Sequence, residues 1–491
     1  MSKSLKPLFS FSLQSFAYGI GFFGRQVVIY FALPLITRLV SKDDFGVISI
    51  VTSFYTVINT LTNFGLPSAT FRFYNDQIGE SEKKEILGTS QTLFFLLALI
   101  LSGLMSLFSQ QVSTYLLGSP QYAPIILIVA VLLVIETMNY FGTVLLRLHV
   151  RPGAVSLHSI VAGVGQLGLA IVFIRNLGLG VYGYWVGFLI GSIISLLLMI
   201  WLNRKQITFR FTGRAARELL KYGIPLIPAN LAISFIQLTD RFFLRTYLDL
   251  EVVAVYAIGY KIGSIVNLVL APVRIAWPNF AFSSIVDPDA KRTYRDLLTF
   301  IILICTFVSL GIFIFRSPLI SIISPEPYQA ATIVVPWISA AMILYGIYPV
   351  VSLGPRILKK TKPLAWIAVI NVFVNILLLL ILVPLLGMLG AAISVLGSYV
   401  FLVVFNYLIS QRMYRFSLDF RRIIIILLIA LAEAFLVEFT KGYIDKASYQ
   451  YLYQGLIFIS YPVLLILFKV LPVKEIINFS YSWFTKSVQD D

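Results

Sequence analysis

A few ionisable side chains sit where charge is hardest to keep, inside stretches apolar enough to cross a bilayer: Arg25, Glu136, Asp240, Arg241, Lys261, Arg274 and Glu433. Arg25 lies about 15 residues into the first apolar run, about 22 Å along it as a helix, and that run holds no acid. Lys261 lies about 9 residues, or about 14 Å, into its own run from the opposite side. One cation from each half of the chain therefore falls near mid-membrane. On facing halves, two such cations suit a phosphate or pyrophosphate, since an arginine can bond two oxygens at once. The alternative is a carbonyl or hydroxyl partner for each within its own half.

The other candidates are weaker. Arg274 is 13 residues from Lys261, so it points to nearly the opposite face, with Pro272 between them as a kink site. It belongs to the cationic set, although its depth near the cytoplasmic surface makes snorkelling the better explanation. Asp240 and Arg241 are neighbours about 100° apart on a helix, so one is expected to pair across helices while the other faces the lumen. Asp240 and Glu136 are the coupling or gating candidates. A deep carboxylate such as Glu136 or Glu433 could bind a proton or a sodium ion, and the sequence does not choose between them. His158 reads as structural. No catalytic residue, metal site or cofactor is expected. The lone Cys305 forms no internal disulfide.

The elements that must carry these residues follow from composition. Of 491 residues, 59% are hydrophobic and 12% charged, with mean hydropathy +0.90, which requires lipid as solvent. Runs long enough to span recur near 10–38, 46–66, 89–108, 122–148, 154–174, 180–202, 223–246, 252–281, 297–316, 329–353, 364–385, 387–409, 423–440 and 450–471. The expectation is thus an all-α integral membrane protein of about fourteen transmembrane helices. Polar interruptions at 70–88, 203–222, 282–296 and beyond 472 are too short for an ATPase domain, and no phosphate-binding loop is present. Segments 212–221 and 475–486 read as interfacial helices. Uphill transport would then draw on an ion gradient, the membrane potential or a partner.

Most lysines and arginines fall on the side that holds both termini. The opposite ends carry only Arg38, Lys42, Arg175, Arg245, Arg316, Lys441 and Lys446. The positive-inside rule therefore places both termini in the cytoplasm. The net charge of +16 belongs to these collars, which meet anionic membrane lipid rather than nucleic acid. Gly19–Gly24 and Gly163–Gly168 match the spacing of a dinucleotide-binding loop, but both lie inside spans, where glycines serve packing.

The chain also repeats itself. Gly46 aligns with Ala254 at an offset of 208, and Gly180-Val-Tyr-Gly183 with Gly387-Met-Leu-Gly390 at 207. A duplicated six-helix unit gives halves 1–209 and 210–411 in the same orientation, related by a pseudo-twofold along the membrane normal with a cavity between them. Residues 412–491 then hold two additional helices and a cytoplasmic tail.

The stretches GRQVVIYFALPLITRLVSKDDFGVISIV, FGLPSATFRFYND, YGIPLIPANLAISFIQLTDRFFL and VYAIGYKIGSIVNLVLAPVRIAWPNF resemble the polysaccharide flippase family. That family belongs with the multidrug/oligosaccharidyl-lipid/polysaccharide exporters. The resemblance implies two six-helix lobes in a V, alternating access and a lipid-linked oligosaccharide carried on undecaprenyl (pyro)phosphate across a cell inner membrane. Membrane lipid, a polysaccharide polymerase and a chain-length regulator are the other expected partners. Two competing classes are weaker. An exporter of cationic drugs should carry carboxylates in its cavity and no bare cation. A glycan polymerase or ligase should carry a sizeable external loop with catalytic residues.

Overall fold

The computed structural model describes residues 5–208, 210–271, 277, 290–358, 360, 362–440 and 447–470. Among them there is helix and no strand. The first half comprises α1 (Leu5–Leu39), α2 (Lys42–Asn63), α3 (Leu66–Asp76), α4 (Glu80–Leu107), the short α5 (Ser109–Leu117), α6 (Ala123–Leu148), α7 (Pro152–Leu177) and α8 (Gly180–Asn203). A linking helix, α9 (Gly213–Gly223), leads to α10 (Ile227–Tyr247), α11 (Leu250–Gly263), α12 (Ala290–Ile314), the short α13 (Arg316–Ile323) and α14 (Val335–Val351). Then follow α15 (Leu353–Ile357), α16 (Lys362–Leu386), α17 (Met388–Met413), α18 (Phe420–Thr440) and α19 (Ala447–Leu467).

Eleven helical segments among the described residues are long and apolar enough to cross a membrane. The other three of the fourteen expected spans fall on α1, α10 and α11, the helices that carry Arg25, Arg241 and Lys261. Fourteen therefore remains a count made from the sequence. Much of the expected polar loop 70–88 is helical, because α3 runs to Asp76 and α4 starts at Glu80. The expected span at 329–353 begins instead with a 3-10 turn, Glu326–Ile333, before α14. Segment 212–221 does form a helix, but α9 buries Ala215, Ala216 and Leu219 against Leu66, Ala69 and Phe94 of the first half. Segment 475–486 lies outside the described residues.

Small features recur at the repeat offset as well. Ser41 and Asp249, 208 residues apart, each cap the following helix by accepting from the backbone N–H three residues on. Gly180 opens α8 and Gly387 precedes α17, both in the left-handed region that glycine tolerates, at φ +50 and +58. Two short helices, α5 and α13, occupy corresponding places. Within the first half α7 and α8 form a tight hairpin. A Cβ at Gly187 or Gly191 would lie 2.4 Å from backbone N of α7, so the four-residue glycine spacing sets how closely these helices approach.

The halves meet on α2, which packs along both α10 and α11. At Gly46 the approach is backbone to backbone, since a Cβ there would lie 2.3 Å from the Leu250 carbonyl oxygen. Lys42 pairs with Glu251 at 3.1 Å beside this contact. Nearby, Thr37 donates to the Ile323 carbonyl at 2.8 Å, and Arg38 donates to those of Ser321 and Ile322 at 3.3 and 3.2 Å. These last carbonyls of α13 have no intrahelical partner, and a cation suits the negative end of a helix dipole. So two of the few cations on the less basic side, Arg38 and Lys42, tie the halves together there. Finally, α18 and α19 pack on α12, with Phe307 stacked on Phe458 at 4.4 Å.

Candidate functional site

Between the halves lies a cavity of about 400 Å3. α1 contributes Arg25, Ile29, Leu33 and Ile36, and α2 a hydroxyl row of Ser49, Thr52, Ser53 and Thr56. Gln237 and Arg241 come from α10; Ala257, Tyr260 and Lys261 from α11. Each set recurs every three or four residues, the spacing of one helix face. Arg25, Arg241 and Lys261 thus share one cavity, and among the described residues none that lines it is acidic.

The three cations are held differently. The Arg25 guanidinium donates to Gln166 Oε1 of α7 at 3.2 Å. Gln166 Nε2 in turn donates to Glu136 Oε1 at 3.0 Å and to Ser192 Oγ at 2.9 Å. Asn139 donates to the same Glu136 oxygen at 3.1 Å, and its own Oδ1 meets His158 Nε2 at 3.2 Å. Glu136 therefore stands behind an amide and does not line the cavity. His158 is buried in this network.

Arg241 has its carboxylate next door. It pairs with Asp240 Oδ1 at 3.1 Å, while Tyr256 donates to Asp240 Oδ2 at 2.7 Å. Asp240 is 0% exposed and off the cavity lining; Arg241 faces the lumen. The adjacent pair thus divides as expected, with Asp240 bonding across to α11, yet the two also touch each other. Arg241 Nε crosses to the other half, donating to Ser49 Oγ at 2.9 Å, and the guanidinium lies 4.9 Å from the Tyr260 ring centre.

Lys261 has no carboxylate within ion-pair distance among the described residues. Its Nζ lies 5.2 Å from the centre of the Tyr30 ring on α1, and Tyr30 donates to the Lys261 carbonyl at 3.3 Å. Arg274 lies outside the described residues. Glu433 does not line this cavity; it lies in α18, where it accepts from Ser460 of α19 at 2.8 Å.

Sequence reasoning missed Gln166, Ser49 and Tyr260. A signal existed for the first two. Gln166 interrupts the apolar α7 between Gly165 and Gly168, and the hydroxyls Ser49, Thr52, Ser53 and Thr56 recur at helical spacing within the mostly apolar stretch 45–58 of α2.

Residues 35–333 match the family described as polysaccharide biosynthesis protein. The chain belongs to that family. The matched stretch holds Arg241 and Lys261 but begins after Arg25. No curated protein matches the full sequence. Among solved structures, the lipid II flippase MurJ in an inward closed conformation aligns with TM-score 0.72 at 18% identity, covering 92% of this chain and 98% of that one. An inward-facing multidrug resistance MATE family transporter of the MOP superfamily aligns with TM-score 0.67 at 16% identity, covering 79% and 94%. A MOP superfamily transporter from Pyrococcus furiosus, described as having a binding pocket of reversed polarity, aligns at 0.60 and 15% identity over 82% and 95%. This member of the polysaccharide biosynthesis family is therefore a multi-pass membrane protein with the fold of these transporters.

Proposed function

We propose that this protein is a flippase that moves an undecaprenyl (pyro)phosphate-linked oligosaccharide from the cytoplasmic to the periplasmic leaflet, for surface polysaccharide synthesis. Its termini are then cytoplasmic, in the cell inner membrane. One observation carries the reading: Arg25, Arg241 and Lys261, drawn from both halves, line one cavity with no acidic lining residue among the described residues. An anionic head group is the ligand such a cavity attracts, and low dielectric strengthens that attraction. A cationic drug would meet repulsion there. Family membership supports a glycan cargo, and the hydroxyls of α2 offer partners for sugar hydroxyls.

Arg25 and Lys261 hold the phosphate end, and Arg241 supports them from its paired position. Rocking of the halves about the α2 contacts would expose the site to each leaflet in turn. Of the candidate coupling carboxylates, Asp240 stands directly against Arg241, and Glu136 stands behind Arg25 across the amide of Gln166. The coupling ion, a proton or sodium, would act through that second row.

The test is complementation of a surface-glycan deficiency at matched membrane levels. Wild type should restore the glycan. Arg25→Ala and Lys261→Ala should each lose it, with lipid-linked units accumulating on the cytoplasmic leaflet. Full activity from both variants would refute the site. Failure of wild type together with export of small cations would refute the cargo.

A further inference from the structure

A second charged site lies at the basic end of the molecule, away from the central cavity. Two adjoining clefts of about 360 and 440 Å3 share Lys205 and Gln206, just beyond α8. Arg151 and Arg204 line the first; Lys83, Lys84 and Arg210 line the second. Glu80 is the one acid among these lining residues, and it is already tied to Lys83 at 3.3 Å. The arginines are held by uncharged partners. Arg151 donates to the Leu202 carbonyl at 2.7 Å, Arg210 to Ser81 Oγ at 2.9 Å, and Arg204 rests 5.7 Å from the Trp201 ring centre. Such contacts fix where a cation points while leaving its charge in place.

What leads to the clefts identifies the ligand. Ile193, Leu197, Ile200 and Trp201 are exposed along one face of α8, and in a membrane span that face meets acyl chains. The stripe ends on Trp201, a residue suited to the membrane–water boundary, and the cations begin at once with Arg204 and Lys205. Apolar chains followed directly by a phosphate are the construction of a phospholipid. An acidic soluble protein would match the charge but leave the stripe unused.

We propose that this cleft pair binds the phosphate head group of an anionic phospholipid whose chains lie on the exposed face of α8. The ligand is a bilayer phospholipid, distinct from the cargo of the central cavity.

The experiment is native mass spectrometry of the purified full-length protein, titrated separately with phosphatidylglycerol, phosphatidylcholine and undecaprenyl phosphate. The site variant is Lys84→Gln/Arg204→Gln/Lys205→Gln; Arg412→Gln/Arg421→Gln removes exposed charge elsewhere on the same basic side. Phosphatidylglycerol binding should weaken about fivefold per charge removed in the site variant. It should hold in the other variant, with phosphatidylcholine unaffected in both. Unchanged phosphatidylglycerol binding in a site variant of normal thermal unfolding would overturn the site. Loss of undecaprenyl phosphate binding with phosphatidylglycerol binding intact would overturn the phospholipid as occupant. Central-cavity variants such as Arg25→Ala should leave phosphatidylglycerol binding unchanged, so the two sites are tested apart.

Discussion

The two halves of the molecule bring positive charge to one cavity by opposite means. In the first half, Arg25 is separated from Glu136 by the amide of Gln166. In the second, Arg241 is bonded directly to Asp240, and Tyr256 and Tyr260 complete its surroundings. Lys261 adds a cation that leans on Tyr30 of the opposite half with no carboxylate beside it among the described residues. A directly paired guanidinium spends much of its field on its partner. A cation held through an amide, or against a ring, keeps more of its field for a ligand. The comparison therefore assigns Arg241 mainly to holding the second half together and Arg25 and Lys261 mainly to the anion.

The largest effect should come from breaking the direct pair. Asp240→Ala leaves Arg241 buried without its carboxylate and Tyr256 without its acceptor, which typically costs about 3–5 kcal/mol. Thermal unfolding in detergent should show a strong loss of stability, with poor recovery of folded protein. Arg25→Ala, by contrast, should change stability little while abolishing transport. Equal stability losses from the two variants would erase the proposed division of labour.

The cations of this contrast were legible in the sequence because charge stands out in an apolar run. Their partners were not, because Gln166, Glu136 and Arg25 come from three helices whose contact no local pattern reveals. Asp240 and Arg241 show the limit well. Helical geometry separates their directions by about 100°, and the split into one lumenal and one buried residue follows. Yet a long guanidinium also folds back onto its neighbour's carboxylate, which direction alone does not forbid. The fold was more readable, since span length and the 208-residue offset are written along the chain. The spans on α1, α10 and α11 rest on the length of their apolar runs in the sequence.

The second effect concerns the place where the halves are alike. Gly46 lies over the Leu250 carbonyl beside the matched caps Ser41 and Asp249. A Gly46→Ala methyl would lie 2.3 Å from that oxygen, so the backbones must separate. Overpacking of this kind costs about 1–3 kcal/mol. The expected outcome is a lower unfolding temperature with transport reduced but present. Its control is Gly153→Ala, where nothing lies within 4 Å of the new carbon, which should behave as wild type. If Gly46→Ala is equally silent, the halves do not turn on this contact.

The smallest effect sharpens the comparison most. Glu136→Gln keeps an oxygen that can accept from Gln166 and Asn139, so the network can survive while its charge goes. Stability should move by less than about 1 kcal/mol, the scale of one neutral hydrogen bond. Removing the negative charge behind Arg25 should make the cavity more attractive to an anion. Affinity for undecaprenyl phosphate should rise about threefold to tenfold, as expected of a screened charge several ångströms away. Transport should slow at the release step, because tighter holding opposes departure. Were affinity unchanged, the charge of Glu136 would not reach the cavity through Gln166, and the contrast between a directly paired and an amide-separated cation would lose its basis.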